Sequence, residues 1–228
     1  MINKYKDIRD IFARQTQPYV TLCKFHPKKK RLVVSETTKI GIEGFPRSAN
    51  TWSVVAFEEL QSDIKNHEIA HHLHAPAQVI YAVKNNIPCI LLIREPNDAA
   101  KSLSLRESTT NLENIYKRYC SFYQPLQHLK EKVLVCEFKE ATENFPKVIQ
   151  RLNKMHNINI SCKNMSKETK HKIFKRIEEI NRTDDGAGKK GLAMPSKDKQ
   201  LKLRNINTNE GKWRTNAEKI YKHFTLPH

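Results

Sequence analysis

Residues 44–51 read Gly44-Phe45-Pro46-Arg47-Ser48-Ala49-Asn50-Thr51, and they join a short apolar segment (39–45) to one whose apolar residues recur at helical spacing (50–62). A strand-to-helix turn of this kind suits a phosphate. The first N–H groups of a helix have no partner inside it, and the helix dipole favours an anion there. The spacing is that of a Walker A loop, G-x-x-x-x-G-K-[ST], with Ala49 at the second glycine and Asn50 at the lysine. Asn50 is short and neutral and cannot reach the outer phosphates of a nucleoside triphosphate. The cation stands instead at Arg47, in the turn itself. That placement suits a terminal anionic group held close to the backbone and argues against magnesium-dependent ATP hydrolysis.

Two further clusters follow. Arg94 comes directly after the apolar run 88–93, and Ser102 lies eight residues later. An arginine at a strand end can chelate a phosphate through two N–H groups, and Ser102 adds a hydroxyl if the intervening helix folds back over the site. Between the two motifs lies His71-His72-Leu73-His74. Residues two apart on an extended segment share a face, so His72 and His74 are expected to look into the cleft and His71 to point away. A histidine titrates near neutrality and suits a general base; His74 is the candidate, with His72 as helper. His67-Glu68-Ile69-Ala70-His71 matches H-E-x-x-H as a string, but that motif holds a metal from one face of a helix, whereas these residues run into an expected strand; no metal is expected of His67, His71, His72 and His74.

These clusters need a scaffold. Strands are expected at 19–25 and 31–35, joined by a turn at 26–30, and again at 39–45, 69–73, 88–93 and 132–138. Helices are expected at 50–62, 76–86, 97–106, 112–129, 145–156, 167–180 and 213–224. Pro146 is tolerable in a first turn. Segment 181–211 holds four of the six glycines and reads as a long mobile or cofactor-covering loop. Strands alternating with helices imply an α/β fold, a central parallel β-sheet flanked by helices. A length of 228 residues suits one domain, with its core at about 36–160.

Lys and Arg number 41 against 24 acidic residues, a formal charge of +17. Such a charge fits nucleotides, acidic glycans, nucleic acid or an anionic membrane equally, so it selects no function by itself. The five cysteines show no C-x-x-C spacing, and reduced, buried thiols are expected. The N-terminus is charged and carries no apolar signal core. No run approaches the ~20 apolar residues of a membrane span. A soluble, cytoplasmic protein is the expectation.

Taken with Trp52, the loop resembles the 5′-phosphosulfate loop of the sulfotransferase superfamily, written Y-P-K-S-G-T-T-W. Arg47 stands at the family's lysine, Ala49 at its glycine and Asn50 at a threonine. Arg94 and Ser102 match the family's 3′-phosphate motif. The resemblance implies a P-loop NTPase-like three-layer sandwich and a co-substrate, 3′-phosphoadenylyl sulfate (PAPS). It implies binding by Pro46, Arg47, Ser48, Ala49, Asn50, Thr51, Arg94 and Ser102, with Trp52 against the adenine and Lys189-Lys190-Gly191 near the 3′-phosphate. It assigns Arg47, His72 and His74 to the transfer of a sulfuryl group to a hydroxyl or amine, without metal. Arginine keeps the positive charge but does not readily donate a proton. Glu137 fits an acid near a strand end and matters more to fold than to chemistry. Two other readings stand beside this one: a kinase-like P-loop nucleotide-binding protein, and a non-catalytic module that holds a polyanion. No nucleic-acid recognition motif is present. The acceptor is not identified, though the basic charge points toward an acidic one.

Overall fold

The computed structural model describes residues 16–184, 202, 203, 206, 208 and 211–226. Four parallel strands form the sheet: β1 (Ile40–Gly44), β2 (Ile69–His71), β3 (Cys89–Ile93) and β4 (Leu134–Glu137), in the order β2-β1-β3-β4. Every residue of β1 and β3 is buried, which is why both read as near-continuous apolar runs. Side chains alternate between the two faces. Ile40, Ile42, Ile90 and Leu92 meet α2 (Asn50–Leu60), α7 (Phe145–His156) and α8 (Lys167–Asp184). Cys89, Leu91 and Ile93 meet α3 (Pro76–Lys84), α4 (Pro96–Glu107), α5 (Leu112–Tyr123) and α9 (Lys212–Thr225). A short α6 (Phe138–Glu143) follows β4. The result is a three-layer α/β sandwich.

The N-terminal expectation fails. Residues 19–25 belong to a helix, α1 (Thr16–Phe25), and 31–35 form turns and irregular chain rather than a strand. Tyr19, Val20 and Cys23 are buried while Leu22 and Phe25 are exposed. That repeat is helical, not two-fold. The buried face packs on Ala70, Leu73 and Ala77, and this tertiary contact overrides the strand preference of Tyr, Val and Thr. The expected helix over 112–129 also splits. After Tyr123 the chain tightens into a 3₁₀ segment, Gln124–Lys132, where Pro125 has no amide to donate.

The topology fixes where a ligand can sit. From β1 the chain runs through α2 to β2 on one side, while β3 lies on the other side of β1. The carboxyl ends of β1 and β3 therefore flank a topological switch point, the usual crevice of an open parallel sheet. Gly44 closes β1 there. A Cβ on it would fall 2.5 Å from the Leu92 carbonyl oxygen and 2.8 Å from the Leu92 Cβ, so only glycine lets the chain leave the sheet against β3. Among the described residues, no helix is long and apolar enough to cross a membrane.

Candidate functional site

The loop after β1 is braced from beneath. Phe45 is buried, its ring edge-on to Tyr119 at 5.2 Å. Its N–H donates to Tyr123 Oη at 3.2 Å, and that hydroxyl donates to the Leu92 carbonyl at 2.7 Å. Ser48 is fully buried with its Oγ 3.4 Å from the same Tyr123 hydroxyl. The Ser48 side chain therefore braces the loop rather than facing a ligand. Asn50 Nδ2 donates back to the Phe45 carbonyl at 3.0 Å and closes the loop internally. Its Oδ1 is buried without a hydrogen-bond partner. Pro46, Arg47 and Ala49 are half-buried on the outer side.

Arg47 (φ 74) and Ala49 (φ 70) both adopt the left-handed conformation, which is costly for any residue that carries a Cβ. Ala49 starts α2 and supplies no side-chain cap. The first-turn N–H groups of α2 are thus left for an anion.

Arg94 reaches this loop. Its Nη1 donates to the Arg47 carbonyl at 3.2 Å, and Arg47 Nε donates to Ser102 Oγ at 3.0 Å. The two motifs are therefore in direct contact, with Ser102 buried on α4. The Arg94 guanidinium lies 4.1 Å from the Phe138 ring centroid and pairs with Asp98 at 3.6 Å. Its Nε is buried and has no hydrogen-bond partner. Glu95 accepts instead from the Asp98 N–H at 2.8 Å and starts α4. Burial, then the charges of Arg106 and Arg94, pull the Arg47 pKa down to about 10. Several cations gathered and desolvated in this way are suited to an anionic ligand. The sequence did not single out Arg106. Its only signal was its place one turn beyond Ser102 on α4.

The histidines do not lie on an extended segment. β2 ends at His71, and His72 (φ 56) and His74 (φ 51) are left-handed. Nor does His71 point away: its Nδ1 is 2.6 Å from His72 Nδ1, so one proton serves both atoms. The His72 and His74 rings are 5.9 Å apart. His72 Nε2 lies 3.1 Å from Thr51 Oγ1, tying this segment to the start of α2. His74 Nδ1 lies 2.8 Å from the Gly44 carbonyl. A carbonyl only accepts, so that nitrogen carries the proton. Burial holds His71 at about 4 and His72 well below its usual value, with neighbouring histidines adding to both shifts. Among the described residues, no group of three or more His, Cys, Asp or Glu side chains is arranged to hold a metal.

Glu43 is a further residue of this region, with no signal in the sequence. It is fully buried in β1. It accepts from the N–H groups of Leu73 (2.8 Å) and His74 (3.1 Å) and from Gln78 Nε2 (2.8 Å). Burial pushes its pKa up to about 8 against these donors. An isolated acid in an apolar strand gives no sequence signal of such partners.

Trp52 is a core residue. It is 8% exposed, its Nε1 donates to the Ala141 carbonyl at 2.8 Å, and its ring packs 4.9 Å from Phe174. This corrects its assignment to an adenine, because the ring is committed to the layer between α2 and α8. Glu137 accepts from the Tyr221 hydroxyl on α9. Lys189, Lys190 and Gly191 lie outside the described residues.

No protein-family model matches the chain, and no curated protein does. Among solved structures, a mouse sulfotransferase, SULT7A1, complexed with PAP is similar over 81% of this chain and 80% of its own. The identity is 13% and the TM-score 0.41.

Proposed function

We propose that the chain is a PAPS-dependent sulfotransferase. The observation that carries the reading is the junction of the two motifs: Arg94 donates to the Arg47 carbonyl while Arg47 donates to Ser102. A nucleotide with phosphates at both ends needs such a split cationic site. The fit has a second mark. Arg94 Nε is buried without a partner, and a phosphate oxygen is an acceptor that would satisfy such a donor.

In this reading Arg94 and Ser102 hold the 3′-phosphate. The outer face of the loop (Pro46, Arg47, Ala49) and the first turn of α2 (Asn50, Thr51) hold the 5′ end through N–H groups and charge. Bound PAPS supplies the sulfuryl group and a bisphosphate leaving group. Arg47, still cationic with a pKa of about 10, stabilises the negative charge that grows on the leaving oxygen. His74 takes the acceptor's proton on its second ring nitrogen, because Nδ1 is already protonated and anchored on Gly44. His72, held neutral, orients Thr51 and the His74 ring.

The test is a thermal titration with 3′,5′-adenosine bisphosphate and, separately, magnesium-ATP. A ligand that binds only the folded state raises the melting temperature. The bisphosphate is expected to raise it, and Arg94→Ala to abolish that rise. A response to magnesium-ATP alone points to a kinase-like nucleotide site, and a response to neither removes the nucleotide reading.

A further inference from the structure

Segment 16–35 carries Lys24, Lys28, Lys29, Lys30 and Arg31 and no acidic residue. Four of these cations, Lys24, Lys28, Lys30 and Arg31, are exposed. Lys29 leans over the Tyr19 ring at 5.6 Å. Beside them on α1 stand Leu22, 61% exposed, and Phe25, 82% exposed. Residues three apart on a helix are surface neighbours, so the two form one apolar spot. The opposite face of α1 is pinned to the protein by Tyr19, Val20 and Cys23. The turn that follows is fixed by backbone bonds from Lys29, Lys30, Leu32 and Val33 to residues 26 and 29. A rigid knuckle thus presents two apolar side chains inside a group of lysine and arginine.

We infer that this knuckle docks the protein on an anionic lipid bilayer. Leu22 and Phe25 enter the headgroup–acyl boundary, and Lys24, Lys28, Lys30 and Arg31 meet anionic headgroups. Charge complementarity fits lipid and nucleic acid alike, but the apolar pair decides between them. A nucleic-acid platform stacks bases on several aromatic rings, whereas an aliphatic leucine beside one phenylalanine suits acyl chains. The knuckle also adjoins the site: the His71 N–H donates to the Leu32 carbonyl at 3.0 Å. Docking therefore sets the histidine segment next to the bilayer surface. This inference does not depend on the proposed transfer reaction.

The experiment is co-sedimentation of the full chain with large vesicles of phosphatidylcholine, with and without phosphatidylserine, at physiological salt. Binding to the serine-containing vesicles alone is expected. Lys28→Ala, Lys30→Ala and Arg31→Ala together should weaken it more than tenfold, since each surface cation contributes roughly fivefold. Leu22→Ser with Phe25→Ser changes no charge and should weaken it about tenfold or more, with the melting temperature kept. Failure to bind either vesicle, or equal binding to both, overturns the inference. So does unchanged binding of the double serine variant, above all if a single-stranded RNA then competes: the patch is then a polyanion surface.

Discussion

The loop after β1 and the segment after β2 stand side by side at the carboxyl edge of the sheet, and they are built on opposite electrostatic plans. The first gathers guanidinium groups around backbone N–H donors and is steadied by an uncharged phenol, Tyr123. The second gathers imidazoles that burial keeps neutral and is steadied by a buried carboxyl group, Glu43. Both supports are uncharged at neutral pH, since burial raises the Glu43 pKa to about 8; what differs is the charge of the groups they hold. The difference suits a division of labour in which one side holds negative charge and the other handles a proton. Thr51, hydrogen-bonded to His72, is the seam between them.

The largest effect tests whether the two regions share a common base. Gly44→Ala drives a Cβ into the Leu92 carbonyl, and backbone cannot yield as a side-chain tip can. A loss of about 3 kcal/mol or more, or failure to fold, is expected by thermal melting. Next, the division of labour predicts a split in ligand binding. Arg47→Ala should weaken adenosine bisphosphate about thirtyfold or more by calorimetry, the scale of a lost charge-assisted contact. His72→Ala should change it about twofold at most. Equal losses in both variants would erase the contrast.

Glu43→Gln comes third, at about 1–3 kcal/mol, because the amide's N–H₂ would face N–H donors. It also carries a pH signature. The folded pKa of about 8 lies above the ordinary 4.5, so the native state holds its proton after the unfolded chain has released it. The contribution to stability is complete below about pH 4.5 and is lost as pH rises to about 8. Melting temperatures of the wild type should fall across that window, and the glutamine variant should flatten the fall. The smallest effect is a gain. Ala49→Gly relieves a left-handed alanine and should add roughly 0.5–1 kcal/mol by denaturant unfolding.

The comparison also marks what the sequence could reveal. The runs of β1 and β3 are readable because every residue in them is buried and all but Glu43 are apolar or glycine; β4 is readable from its apolar run although only Leu134 and Cys136 of it are buried. The strand-to-helix turn at 44–51 is readable because its residues are consecutive. By contrast, α1 was mistaken for a strand because Tyr, Val and Thr favour strands locally, and its helical burial appears only against Ala70 and Leu73. Trp52 looked available for a base because its partner Phe174 stands more than a hundred positions away. The histidine geometry was not visible at all, since nothing local announces that Glu43 will seize the N–H groups of Leu73 and His74 and bend that segment.

The Tyr123 hydroxyl has a consequence for how the molecule assembles. Phe45 lies 78 positions before the phenol that receives its N–H, and the same phenol grips β3. A peptide cut from residues 39–60 therefore lacks the part that shapes its turn and should bind no anion. During synthesis, the cationic crevice can take form only after the chain has grown past α5 and that helix has closed onto the sheet.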